Sequence, residues 1–95
     1  MDSRLHTLAK TVVQYSLNVQ EGDKVLIEAL DVHNYDYIAP FMDAVFTAGG
    51  QVFVEQTDYR INRKMMLSGT KEQFESDAKL KLAQMKEMDS VIVIL

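Results

Sequence analysis

No cysteine occurs in the 95 residues, proline occurs once and glycine four times. The lack of cysteine excludes a disulfide framework and any thiolate metal site, and it fits a reducing compartment. Basic residues are also in short supply: ten Lys and Arg stand against fourteen Asp and Glu, for a net charge of −4. Nucleic-acid binding demands Lys and Arg clustered on one face. Here the densest group is Arg60, Arg63 and Lys64, which suits one exposed helical face. No apolar run approaches membrane-spanning length, and Met1-Asp2-Ser3-Arg4 opens no apolar segment of the kind a secretory signal needs. No G-x-S-x-G elbow surrounds Ser16, Ser68 or Ser90. These absences leave the expectation of a soluble, cytoplasmic domain with no nucleic-acid or membrane partner. At 95 residues it is long enough for a single core.

What is present is an alternation of helix and strand signals. Leu5, Leu8, Ala9, Val12, Val13 and Ser16 fall at the spacing that stacks side chains on one helical face, which predicts a helix over residues 3–17. A Glu21-Gly22-Asp23 turn leads into a strand over residues 24–29. Val25-Leu26-Ile27 does not alternate with polar residues there, so both faces of that strand are expected to be covered. A second helix carries Tyr37, Ile38, Phe41, Met42, Val45 and Phe46 and stops at Ala48-Gly49-Gly50, with Asp36 as its expected cap. That start keeps Pro40 at the edge of the first turn, where a missing N–H costs little, whereas a start at Asn34 would put it deeper. A strand follows over residues 51–56, then a short helix over residues 60–67 closing at Ser68-Gly69. Thr70 with Gln73 three positions on forms a capping-box pair for a helix that runs to about residue 88, with Phe74, Ala78, Leu82 and Met85 on one stripe. A last strand covers residues 91–95. This order predicts an α/β fold: a parallel sheet of at least three strands, joined by right-handed crossovers, with helices packed on its faces. Strand orders 2-1-3 and 3-2-1 both satisfy the connections.

Open parallel sheets bind ligands at the carboxyl ends of their strands. The loops there carry Asp31, His33 and Asp36 after the first strand and Glu55 with Asp58 after the second. Four carboxylates and an imidazole are sufficient in kind for a divalent metal. The plainer reading has Asp36 and Asp58 capping helices and the others solvated, and we favour it because capping is a frequent use of Asp at such places. His6 reads as a surface residue. The loop after the first strand has no glycine to wrap a pyrophosphate, which disfavours nucleotide binding. Five of the six methionines fall in the later helices, and Met65 and Met66, being adjacent, must point to different faces. Tyr35, Tyr37 and Tyr59 flank the polar loops, as residues of an interface, a cavity rim or simple loop packing do.

Residues 8–27, LAKTVVQYSLNVQEGDKVLI, carry a helix ending in Tyr15-Ser16-Leu17 and then the run Val19-Gln20-Glu21-Gly22-Asp23-Lys24-Val25-Leu26-Ile27. At these residues the chain resembles the start of the aminopeptidase T/PepS family, two-metal aminopeptidases that remove N-terminal residues. The resemblance implies that residues 1–95 form the N-terminal α/β domain of such an enzyme and that the metal ligands belong to a separate catalytic domain. None of those ligands can be carried over to a position in this sequence, so no catalytic, cofactor-binding or metal-binding residue is assigned. It also implies divalent metal ions (zinc, cobalt or similar) in the catalytic domain, peptide substrates, and a homodimer in which this domain helps to wall the peptide chamber. The apolar run 90–95, with no polar residue to close it, adds the expectation that these residues are the first part of a longer polypeptide. The alternative function is a stand-alone α/β binding or interaction module that uses its strand-end loops.

Overall fold

The structure is a computed structural model that describes residues 3–95. Helix α1 (Ser3–Thr11) runs into a π-helical stretch, Val12–Ser16, before strand β1 (Lys24–Leu30). In that stretch the Leu17 N–H reaches back five residues to the Val12 carbonyl at 2.9 Å. The wider turn rotates the helical face. Val13 is fully buried, whereas Ser16, expected on the same stripe, is exposed. The reversal that follows uses Gly22 at φ +83°, a region open to glycine, and Asp23 Oδ2 closes it by accepting the Gln20 N–H at 2.9 Å.

Helix α2 (Tyr35–Thr47) departs from the sequence expectation at its start. Asn34, not Asp36, is the cap: its Oδ1 accepts the Asp36 N–H at 2.9 Å. Asp36 therefore lies in the first turn, where its charge faces the positive end of the helix. Pro40 falls inside the helix and is fully buried. Its ring is shielded from water beside His6, Lys10 and Gln14 of the first helix. The helix ends as its glycines require. Gly49 sits at φ +84°, its N–H bonded to Phe46 O and that of Gly50 to Val45 O, both at 3.0 Å.

Strand β2 (Gln51–Thr57), helix α3 (Tyr59–Ser68), helix α4 (Lys71–Glu87) and strand β3 (Ser90–Ile94) complete the chain. The three strands form one parallel sheet in the order β2-β1-β3, so the sequence's open choice resolves to 2-1-3. Caps define the later helices as their residue types predict. Asp58 Oδ1 accepts the Arg60 N–H at 2.8 Å, and Thr70 Oγ1 accepts the Gln73 N–H at 3.2 Å. The amino ends of the strands are tied together by backbone bonds, Gln51 N–H to Asp23 O at 2.7 Å and Asp89 N–H to Lys24 O at 2.8 Å.

Side chains alternate across a strand, so the register decides which face each residue serves. Val25, Ile27, Ala29 and Ile92 meet Ala9 and Val13 of the first helix and Ile38, Phe41 and Val45 of α2 in one continuous core. The other face shows Leu26 between Phe53 and Val91, and Glu28 between Glu55 and Val93. Helices α3 and α4 bury no residue at all. The stripe expected on α4 is accordingly open, with Phe74 42%, Leu82 57% and Met85 42% exposed. Met65 and Met66 are both exposed as well. The radius of gyration is 15.0 Å, against about 12 Å for a compact chain of this length. The chain is therefore elongated, with one sheet face densely packed and the other thinly covered.

Leu26 is only 1% exposed even though it lies on the thinly covered face. Replacing it with Ala should cost about 2–5 kcal/mol, as buried large-to-small changes do. That is a large share of the stability of a domain this size. Thermal or urea unfolding checks this, and an unchanged midpoint would contradict the burial.

Candidate functional site

The carboxyl ends of β1 and β2 bring together residues from two separate loops. Asp31 follows β1 directly and has φ +56°, a left-handed conformation that Asp tolerates better than most residues. Its N–H continues the sheet pairing by bonding Thr57 O at 2.9 Å, and its Oδ1 accepts the Tyr59 N–H at 3.2 Å. The reversed backbone thus carries Asp31 across to the start of α3. His33 Nε2 lies 3.4 Å from Asp31 Oδ1 and 4.0 Å from Asp58 Oδ2. One ligand-capable atom from each of Asp31, His33 and Asp58 falls within 4.8 Å of the others. Three of the five residues singled out in the sequence therefore meet. Asp36 stays in the first turn of α2, and Glu55 lies within β2 opposite Glu28.

Arg60 belongs to this group too, although the sequence reading placed it only among basic residues on an exposed helical face. The signal was there, in an Asp cap followed two residues later by Arg. Its Nε donates to Asp58 Oδ1 at 3.0 Å and its Nη2 to Oδ2 at 2.6 Å, a two-pronged guanidinium–carboxylate pair. These side-chain hydrogen bonds, followed by the Arg60 backbone N–H, hold the Asp58 carboxyl well below the usual carboxylate range. The same contact raises the Arg60 pKa above its ordinary value.

A groove opens beside this cluster. It has a volume of about 800 Å³, with Leu5, Leu8 and Val12 of the first helix on one wall and β3 on the other. Asp31, His33 and Asn34 stand at its polar end. In a 2-1-3 sheet the connections from β1 to β2 and from β2 to β3 run in opposite senses, and the crevice between β1 and β3 is the topological switch point.

Comparison with known proteins agrees with this architecture. The sequence pattern described as thermophilic metalloprotease (M29) matches residues 1–94. The chain belongs to that family. Among solved structures, wild-type AmpT from Thermus thermophilus superposes with a TM-score of 0.59 at 22% identity, over 74% of this chain and 18% of that one. At that identity the likeness is one of fold, and this chain spans less than a fifth of AmpT's length. No curated protein matches it.

A metalloprotease family implies a metal, and the cluster at Asp31, His33 and Asp58 is the obvious place to test for one. Three of its four carboxylate oxygens already accept hydrogen bonds. Both oxygens of Asp58 are taken by Arg60, and Asp31 Oδ1 already accepts the Tyr59 N–H. A cation entering here would have to displace a guanidinium held at 2.6 Å, or share the carboxylate with it against like-charge repulsion. Arg60 and the start of α3 hold both Asp58 oxygens and Asp31 Oδ1, an arrangement whose observed chemistry is that of a helix cap braced by a charge pair.

That role predicts a pH dependence. A carboxyl held below its ordinary value of 3.8 binds fewer protons in the folded state than in the unfolded chain. Its contribution is complete above that value and is lost as the pH falls below it. Asp58→Asn keeps an oxygen to cap α3 but removes the charge. The parent should be more stable than the variant at pH 7, and the gap should narrow progressively as the pH falls below about 4. Paired urea titrations from pH 7 to pH 2.5 measure it, and a gap independent of pH would refute the charge-pair account.

Proposed function

We propose that this chain is the amino-terminal α/β portion of a metal-dependent aminopeptidase of the aminopeptidase T type, and that it supplies shape and access while the metal ligands lie outside these residues. The observation that carries the reading is the match of the M29 pattern along almost the whole chain, residues 1–94. The likeness to AmpT supports it at the level of fold, with less than a fifth of that protein covered. The donor geometry supports the division of labour, because the metal-like cluster among the described residues is committed to Arg60 and to the start of α3. The reading makes peptides the substrates and zinc, cobalt or a similar divalent ion the metal. It also takes the enzyme as a cytoplasmic homo-oligomer. A chain without cysteine agrees with a reducing compartment, and no helix among the described residues is long and apolar enough to cross a membrane.

The 95-residue chain alone should be inactive. Incubated with zinc, cobalt or manganese and an aminoacyl chromogenic substrate, it should release no more product than buffer does. Metal-dependent turnover that disappears in Asp31→Asn or His33→Gln would overturn the proposal and place chemistry in the strand-end cluster.

A further inference from the structure

Helices α3 and α4 keep a large amount of apolar surface in water. Met66 and Leu67 of α3 are 74% and 75% exposed, and Leu80 of α4 is 72% exposed. With Ile61 and the open stripe of α4, these side chains fall on two successive helices joined only by Gly69 and Thr70. Apolar residues scattered singly over a surface are ordinary. Their concentration on neighbouring elements marks an interaction surface, and methionine and aromatic side chains are the types enriched in such surfaces.

The charges of the two helices are sorted as well. α3 carries Arg60, Arg63 and Lys64 and no acidic residue. The opening of α4, residues 71–77, sets Glu72, Glu75 and Asp77 against a single Lys71. Inside one chain these charges are only partly matched. Arg60 is committed to Asp58, and the ion pairs of α4 are its own, Lys71 with Glu75 at 3.9 Å and Lys81 with Asp77 at 3.0 Å. No ion pair among the described residues engages Arg63, Lys64 or Glu72. A basic helix and an acidic segment that do not neutralise each other within one copy can do so between two.

We infer that α3 and α4 form a docking surface for a second copy of this chain, in which α3 of each copy lies against the opening of α4 of the other. A twofold axis makes such a contact self-complementary: each basic helix meets an acidic segment, and both matches form at once. The two helix pairs together make a four-helix contact that removes the exposed apolar side chains from water. A partner of uniform negative charge, such as a nucleic acid or an anionic membrane, would be attracted by α3 and repelled by the adjoining end of α4. The inference deepens the homo-oligomer of the proposed function. It rests on that part of the reading alone and not on peptide hydrolysis.

Sedimentation equilibrium of the 95-residue chain and two charge-reversed variants tests this. The unmodified chain should dimerise as its concentration rises. One variant combines Arg63→Glu with Lys64→Glu, and the other combines Glu72→Lys with Glu75→Lys. Each alone should dimerise at least about tenfold more weakly, because like charges then face each other across the contact. An equimolar mixture of the two should regain dimers, since each reversed helix then meets its complement. Leu80→Asp should weaken association too, whereas Leu8→Asp, on the first helix, should not. All these positions are exposed, and far-ultraviolet circular dichroism verifies that the variants keep their helices. A chain that stays monomeric overturns the inference. So do variants that dimerise alone, a mixture that remains monomeric, or association abolished by Leu8→Asp. Peptidase activity enters none of these readouts, so a failure here leaves the enzyme reading standing, and an inactive enzyme would leave this contact standing.

Discussion

The central strand β1 sets the geometry that everything else in the chain follows. Both of its edges are paired, and Val25, Leu26, Ile27 and Ala29 are almost completely removed from water. A parallel strand with two neighbours must send each crossover over a face of the sheet, and it collects the carboxyl ends of all three strands at one rim. The meeting of Asp31 with Tyr59 and Asp58 is a direct consequence. The Asp31 N–H extends the β1–β2 pairing to Thr57 O, and the next residues of that same strand-end loop are the cap and first turn of α3.

Much of this was legible because it depends on short-range chemistry. Thr70 three residues before Gln73, Asp58 before a helical segment, and glycine after Ala48 each satisfy specific backbone groups at helix ends, and each does so in the structure. Alternation of helix and strand gave the fold class for the same reason. The start of α2 was harder. Asn34 and Asp36 are both capable caps two residues apart, and the sequence preference for Asp36 rested on keeping Pro40 out of the helix interior. In the fold Pro40 is buried beside the first helix, and Asn34 caps instead. The π-helical turn at Val12–Ser16 was equally out of reach, since one extra residue in a turn leaves an apolar stripe looking almost regular.

The strand-end cluster shows where residue inventories mislead. Two aspartates and a histidine within 4.8 Å have the composition of a metal site, and from sequence the metal and the capping readings differed only in prior weight. The structure shows which partners hold the oxygens: the start of α3 and Arg60 on Asp58, and the Tyr59 N–H on Asp31. Arg60 reaches Asp58 with two nitrogens while its own backbone N–H is being capped, so charge, cap and helix start form one unit. Long-range proximity of Asp31 to Tyr59 could not be read before the strand order was known.

Uneven coverage of the sheet completes the account. One face is sealed by the first helix and α2, while α3 and α4 bury none of their own residues. On the sheet's second face Glu28 and Glu55 are register partners across the parallel β1–β2 pair. Neither takes part in an ion pair with another described residue. The apolar stripe of α4 stays open as well, with Phe74, Leu82 and Met85 exposed. The well-packed face is the one formed by Val25, Ile27, Ala29 and Ile92 with the first helix and α2.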